Sequence, residues 1–327
     1  MAVRINPAKP VLWRNPTDLQ IGVEAAVILE GVTPEQERLL ALLERGIASE
    51  ATKPEDLELI ERINPALLLR TSEIIKPRLS GDFVRGAFAE IIRASYATNR
   101  NGIAVLEERA KVSILIDSLG SGGLLIALGL AAAGVGRILC EDREFVGEHD
   151  LGPLGYPSIA KSSRRIEAAN GLLRERPGSS EILDFAAQTP AKRRHLLKVL
   201  IGQHAIHPAR YRELVASKKP HLLVNFESER VSISPKITSS PCLGCLELHK
   251  TDADAAWPAI ASQLLGRIDY LQDSRSGLFA AAIAVGEILR AIDSPEQEAE
   301  FQGARLEVAS GRVENWSWKR HEMCDCG

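Results

Sequence analysis

Four of the five cysteines fall in two close pairs, and they are the first residues whose spacing suggests chemistry. Cys242 and Cys245 form a CxxC after Pro241, and Cys324 and Cys326 form a CxC in the last residues. The N-terminus shows no basic segment followed by an apolar core, so the chain reads as cytoplasmic. There, such pairs point to metal or sulfur chemistry rather than structural disulfides. Four thiolates from two pairs can close a tetrahedral Zn2+ site, which would pin the tail to the domain before it. The rival is sulfur relay or redox use of the Cys324–Cys326 pair, which needs an exposed, low-pKa thiolate. Cys140 lies in an apolar run and reads as an inert core thiol.

A second cluster is rich in glycine. Gly120, Gly122 and Gly123 stand between the apolar, β-branched run VSILID and the apolar stretch LLIALGLAAAGVG. Glycine there permits a tight turn and lets a phosphate approach backbone N–H groups at a helix N-terminus. Asp142 follows the next apolar run, about 20 residues on, where an acid can bind ribose hydroxyls. The competing reading is that the glycines serve only helix–sheet packing. His195, His204, His207 and His221 match no defensible metal spacing and read as solvated or satisfied. Arg164 and Arg165 read as the solvated face of a helix, and Asp117 has no clear role.

The segment GSGGLLIALGLAAAGVGRILCEDREFV, with the later PCLGCLELH, resembles the ThiF/MoeB/HesA superfamily, bacterial relatives of ubiquitin-activating enzymes, over about residues 105–327. The resemblance implies MgATP binding, adenylation of the C-terminal carboxylate of a small carrier protein or peptide, and a homodimer. It places Gly120, Gly122, Gly123 and Asp142 at nucleotide-binding positions, with Glu144 near a second family acid. The family lysine falls near Lys161 or Arg164, and spacing favours Arg164. Other positions depart from the pattern. Ser118 replaces a loop glycine, Asp150 takes the place of an asparagine, and Gly152, Pro153 and Leu154 offer no guanidinium. Gly202, Gln203 and His204 stand where a magnesium-linked aspartate is expected. Adenylation needs cations and Mg2+ to stabilise charge on the phosphates, and losing one such contact costs about 2.7–4 kcal/mol of barrier. Many superfamily members carry a four-cysteine zinc site, usually built from two CxxC pairs.

The phrase HKTDADAAWP is similar to one in an actinobacterial branch associated with thiazole/oxazole-modified microcin (TOMM) pathways, a class of RiPP biosynthesis. Members fuse a PqqD-like winged-helix unit, which binds a leader peptide, to a ThiF-like domain. In that setting His249 is a candidate neighbour of the zinc site, and Trp257 reads as packing. Three functions follow as alternatives. The first is a degenerate ThiF-like protein that binds a peptide or small carrier for a modifying-enzyme partner. The second is an active ATP-dependent adenylyltransferase. The third is a non-catalytic dimer subunit of an active paralogue.

Positioning these residues requires a core, and 327 residues with 45% hydrophobic and 25% charged side chains can build about two domains. Net charge is −3 and aromatics are 5%, which argues against nucleic acid as a partner. No apolar run reaches membrane-spanning length. Residues 1–76 read as a winged-helix-like module. Within it, residues 11–29 suggest a β-hairpin, Thr33 caps a helix with Gln36 completing a capping box, and KPEDLELIERI suggests a second short helix. Residues 77–110 read as a lead-in with helical and strand pieces. Residues 111–327 alternate strand-like runs near Ile114, Leu139, Ile182, Val199 and Leu223 with helical stretches. That predicts an α/β, Rossmann-like, mostly parallel sheet with helices on both faces. A helix is expected at Trp257–Leu265, a long one over SGLFAAAIAVGEILRAI, and a final hairpin from Ala304.

Overall fold

A computed structural model describes residues 2–24, 26–48, 54–63, 68–71, 79–174, 178, 180–265, 267, 270–296 and 302–326. The backbone contacts divide the chain into two compact units, Met1–Ala110 and Lys111–Gly327.

The first unit opens with β1 (Ala2–Ile5), followed by β2 (Val11–Trp13), β3 (Leu19–Ile21) and β4 (Val27–Leu29). The last three form an antiparallel meander rather than a single hairpin. Gly22, with φ 87°, makes the second reversal, a left-handed conformation that suits glycine. Thr33 then caps α1 (Pro34–Arg45), and the reciprocal bonds to Gln36 complete the capping box. Leu39, Leu40 and Leu43 repeat at helical spacing and bury against Ile5, Leu19, Ile21 and Leu29. Two further strands, β5 (Ile47–Ala48) and β6 (Leu68–Thr71), flank β1 in a second antiparallel sheet, with α2 (Pro54–Arg62) between them in sequence. Residues 79–110 form only helices, α3 (Gly81–Gly86), α4 (Phe88–Thr98) and α5 (Gly102–Arg109), around Phe83, Ile91 and Leu106. A strand expected among residues 77–110 is therefore not seen in the described part. Gly102 lets α5 start against the Ile91 carbonyl, where any Cβ would collide.

In the second unit the chain alternates between strands and helices. β7 (Ser113–Ile116), α6 (Ser121–Ala132), β8 (Arg137–Cys140), α7 (Arg165–Arg174), β9 (Glu181–Asp184), β10 (Lys198–Gln203), α8 (Arg212–Ala216) and β11 (His221–Phe226) come first. They are followed by β12 (Arg230–Ile233), α9 (Leu243–Ala253), α10 (Trp257–Leu264), α11 (Ser274–Asp293), β13 (Ala304–Glu307) and β14 (Val313–Asn315). One eight-stranded sheet results, in the order β14-β13-β12-β11-β10-β7-β8-β9. The run from β11 to β9 is parallel, and β12, β13 and β14 add an antiparallel edge. The sequence reading anticipated the β13–β14 hairpin but not β12, whose RVSI carries only two strong apolar residues.

Alternate residues of the central strands enter different cores. Val199 and Ile201 pack with α6, α7 and α11, while Leu200 and Leu223 pack with Leu214 of α8 and Leu243 and Leu246 of α9. Helices therefore cover both faces. Ala280, Ala284 and Ile288 of α11 are fully buried, and a Cβ at Gly129 of α6 would lie 3.0 Å from Val285. Small residues bring these two helices together. No described helix is long and apolar enough to cross a membrane.

Candidate functional site

Strand order reverses at β7, with β8 on one side and β10 on the other. Ligands of open α/β sheets bind outside the carboxyl ends of the strands at such a switch point. A cleft of about 860 Å³ opens there, lined by Asp117, Gly120, Asp142, Arg165, Arg210 and Gln272 among others. The glycine turn forms one wall. A Cβ on Gly123 would strike the Ser118 carbonyl oxygen, and one on Gly122 would lie 2.5 Å from the Phe226 ring. Close packing accounts for both glycines. Tyr156, fully buried, fixes the turn by donating its hydroxyl to the Leu119 carbonyl at 2.9 Å.

The groups that would grip a nucleotide are already bonded to one another. Asp142 is only 5% exposed. Its Oδ2 accepts from the Leu119 N–H at 2.6 Å, and its Oδ1 accepts from the Glu144 N–H at 2.7 Å. Arg165 lies 3.5 Å from Asp142 and grips Asp150 with Nε at 3.0 Å and Nη2 at 3.1 Å. Burial works against the Arg165 charge, but Asp150 and Asp142 outweigh it and raise the guanidinium pKa. At the N-terminus of α6 the Gly122 N–H, the kind of donor that would meet a phosphate, donates to Gln272 Oε1 at 2.7 Å. Tyr270, two residues before Gln272, rests on the His149 ring with centroids 4.9 Å apart.

Several sequence expectations land elsewhere. Arg164 does not line the cleft; its guanidinium lies 3.7 Å from Asp184. Lys161 makes an exposed pair with Glu148. Arg165, read from sequence as surface, lines the cleft instead. Helical phase would have revealed it, because Arg165 shares its face of α7 with buried Ala169 and half-buried Leu172. Asp117 also gains a role: it is buried and paired with Arg210. Burial raises its carboxyl pKa, and Arg210 opposes that shift. Gln272 gave no local signal, since it stands 150 residues from its partner.

The cysteines converge. Cys242 caps the start of α9, Cys245 is one turn on, and the tail brings Cys324 and Cys326 beside them. Their Sγ atoms lie 3.6 Å apart for Cys242–Cys324, 3.4 Å for Cys245–Cys326 and 4.0 Å for Cys242–Cys245. A tetrahedral ion with Zn–S bonds of about 2.3 Å needs edges of about 3.8 Å, so the four sulfurs fit one. The tail is also tied to α9 by the Trp318 indole N–H on the Cys242 carbonyl (2.9 Å) and by His249 on the Lys319 carbonyl (2.8 Å). Cys140 is fully buried, and burial pushes its thiol pKa up, as suits an inert core residue.

His195, His204, His207 and His221 do not assemble into a metal-type group among the described residues. His195 meets the Arg193 carbonyl, His207 accepts from the Ala209 N–H, and fully buried His221 meets the Lys219 carbonyl. His204 takes a left-handed backbone, φ 58°. A separate trio, His249, Asp252 and His321, does gather beside the cysteines. Trp257 donates to Glu247 at 2.7 Å and lies under the Lys250 ammonium, a packing arrangement.

No protein-family profile matches the sequence, and no curated protein sequence does. Solved structures do match. E. coli MccB crystallised with ATP is 13% identical with a TM-score of 0.67, covering 100% of this chain and 99% of its own. E. coli MccB with AMPCPP and MccA is 12% identical with a TM-score of 0.68 over the same shares. PaaA is 17% identical with a TM-score of 0.66, covering 95% of this chain and 98% of its own. At these identities the likeness is one of fold alone.

Proposed function

We propose that this protein is a degenerate ThiF-like binding protein. It presents a peptide or small carrier to a modifying enzyme and performs little or no adenylation itself. One observation carries the reading: the acid, the arginine and the glycine N–H best placed for a nucleotide are all bonded within the protein. Asp142 is held by the Leu119 and Glu144 N–H groups, Arg165 by Asp150, and the Gly122 N–H by Gln272. A nucleotide would have to break these bonds before making its own, and the cleft offers no aspartate where β10 ends to hold Mg2+. A peptide partner is supported by MccB, described as a microcin C7 biosynthetic enzyme and solved with MccA. The β2–β4 meander in the first unit, read as a winged-helix-like, PqqD-like module, supplies exposed strand edges to which a peptide can add. In this reading the four cysteines hold a structural zinc ion, and the chain works as a homodimer.

The same neighbours favour a second reading, because MccB was solved with ATP and with AMPCPP. An active adenylyltransferase would use Asp142 and Arg165 after Gln272 withdraws. ATP–pyrophosphate exchange, run with candidate peptides and Mg2+, separates the two. The degenerate reading expects no exchange above background, together with saturable peptide binding. Peptide-dependent exchange would replace it with the enzyme.

A further inference from the structure

The switch point holds an ion pair that nucleotide chemistry does not explain. Asp117 follows β7, Arg210 follows β10, and these two strands flank the reversal of strand order. The Asp117 side chain is 6% exposed, whereas that of Arg210 is 36% exposed and lines the cleft. Arg210 gives Nε (3.1 Å) and Nη2 (2.5 Å) to the same carboxylate oxygen, and Nη2 also to the Ile201 carbonyl at 2.6 Å. Asp117 in turn accepts from the Ile201 N–H at 2.9 Å. The guanidinium is thus clamped on one edge, and no described bond uses its Nη1. Beside it, His207 accepts the Ala209 N–H on Nδ1, which leaves its Nε2 to carry the proton, and His207 also lines the cleft.

A buried ion pair is poor as a source of stability, because desolvating the two charges offsets their attraction. It does fix the orientation of its more exposed member, and a guanidinium already ordered loses little entropy when it grips a planar anion. Arg165, by contrast, is spent on Asp150 and Asp142, while Arg143, which follows β8, and Arg267 also line the cleft.

We infer that Arg210, held in place by Asp117 as a positioning residue, binds an oxyanion of the ligand at the switch point, with His207 as a second donor. Both a carboxylate and a phosphate have this chemistry. Because Asp117 cancels the net charge, the grip comes from directed hydrogen bonds. The inference holds under either functional reading above. Its failure is distinguishable from theirs, since it is read without exchange activity.

The test uses the full chain and two probes, succinate and inorganic pyrophosphate, followed through the Arg210 Nε–H resonance in side-chain NMR. At least one probe should shift that resonance saturably. Arg210→Lys keeps a cation on Asp117 but removes the second arm, and should weaken binding about tenfold or more with little change in melting temperature. Asp117→Asn, which loosens the clamp and leaves the guanidinium, should weaken it less. Saturation by succinate alone assigns a carboxylate ligand, and by pyrophosphate alone a phosphate ligand. Should the lysine variant melt early, the wild-type resonance decides. The inference falls if neither probe shifts the resonance, or if a folded Arg210→Lys binds as tightly as wild type.

Discussion

The two candidate sites of the second unit were both prominent in the sequence, yet they end in opposite conditions. The four cysteine sulfurs come together in a group that could hold a metal ion. The glycine-turn cleft has the right place and volume, but its Asp142, Arg165 and Gly122 N–H already have partners. Convergence of ligand-type residues is thus a weaker sign of binding than the state of their hydrogen bonds. A site waiting for a ligand leaves donors or acceptors over, whereas a retired site spends them internally.

The largest effect that would sharpen this contrast is on the cysteine side. Cys242→Ser with Cys245→Ser should remove about one zinc per chain, measured by metal analysis of protein purified without chelator. It should also lower the melting temperature of the second unit by roughly 10 °C or more, as loss of a structural metal does. Unchanged metal content or unchanged melting would place the cysteines outside any zinc site. Next comes Arg165→Ala, which strands Asp142 and Asp150, both nearly fully buried, without their cation. Denaturant unfolding should show a loss of about 3–5 kcal/mol. A loss under 1 kcal/mol would mean that the network is not the closed one described here.

Gln272→Ala should cost only about 1 kcal/mol, the worth of one hydrogen bond, and should free the Gly122 N–H. Under the retired-site account a fluorescent adenine nucleotide gains measurable affinity for this variant and has none for wild type. Equal behaviour of the two would show that Gln272 is not what closes the turn. The smallest expected effect is with pH. Burial lowers the pKa of His221 from 6.5, and that of His195 likewise. A histidine with its folded pKa depressed takes up its proton more readily when unfolded. Stability is therefore kept above about pH 6.5 and lost as pH falls below it, by at most about 1.4 kcal/mol per pH unit per proton. His221→Gln should flatten part of that slope in unfolding titrations, and an unaltered slope would assign it to other groups.

What was legible from sequence follows the range of the interactions. The capping box of Thr33 and Gln36, the βαβ unit around Gly120–Gly123 and the CxxC and CxC spacings are patterns of short stretches of sequence, and each is realised in the fold. The apolar runs of β7, β8, β10 and β11 are buried on both faces, and their polar residues fall at or next to the strand ends. The antiparallel edge was legible only in part: the β13–β14 hairpin was anticipated, whereas β12, which mixes polar and apolar residues, was not. In the cleft one failure was local and the others long-range. Choosing Arg164 over Arg165 depended on where α7 begins, and a one-residue error exchanges a surface arginine for one that lines the cleft. Gln272 and the Asp117–Arg210 pair depend on contacts across 150 and 93 residues, which a single sequence does not encode as spacing.

The most direct test of the retired-site account is calorimetric titration of the wild-type protein with ATP, with and without Mg2+, beside Asp142→Ala. The account predicts no binding heat from either protein under either condition. Micromolar binding by wild type that is lost in Asp142→Ala would contradict it, and would show that a nucleotide displaces the internal partners of the cleft.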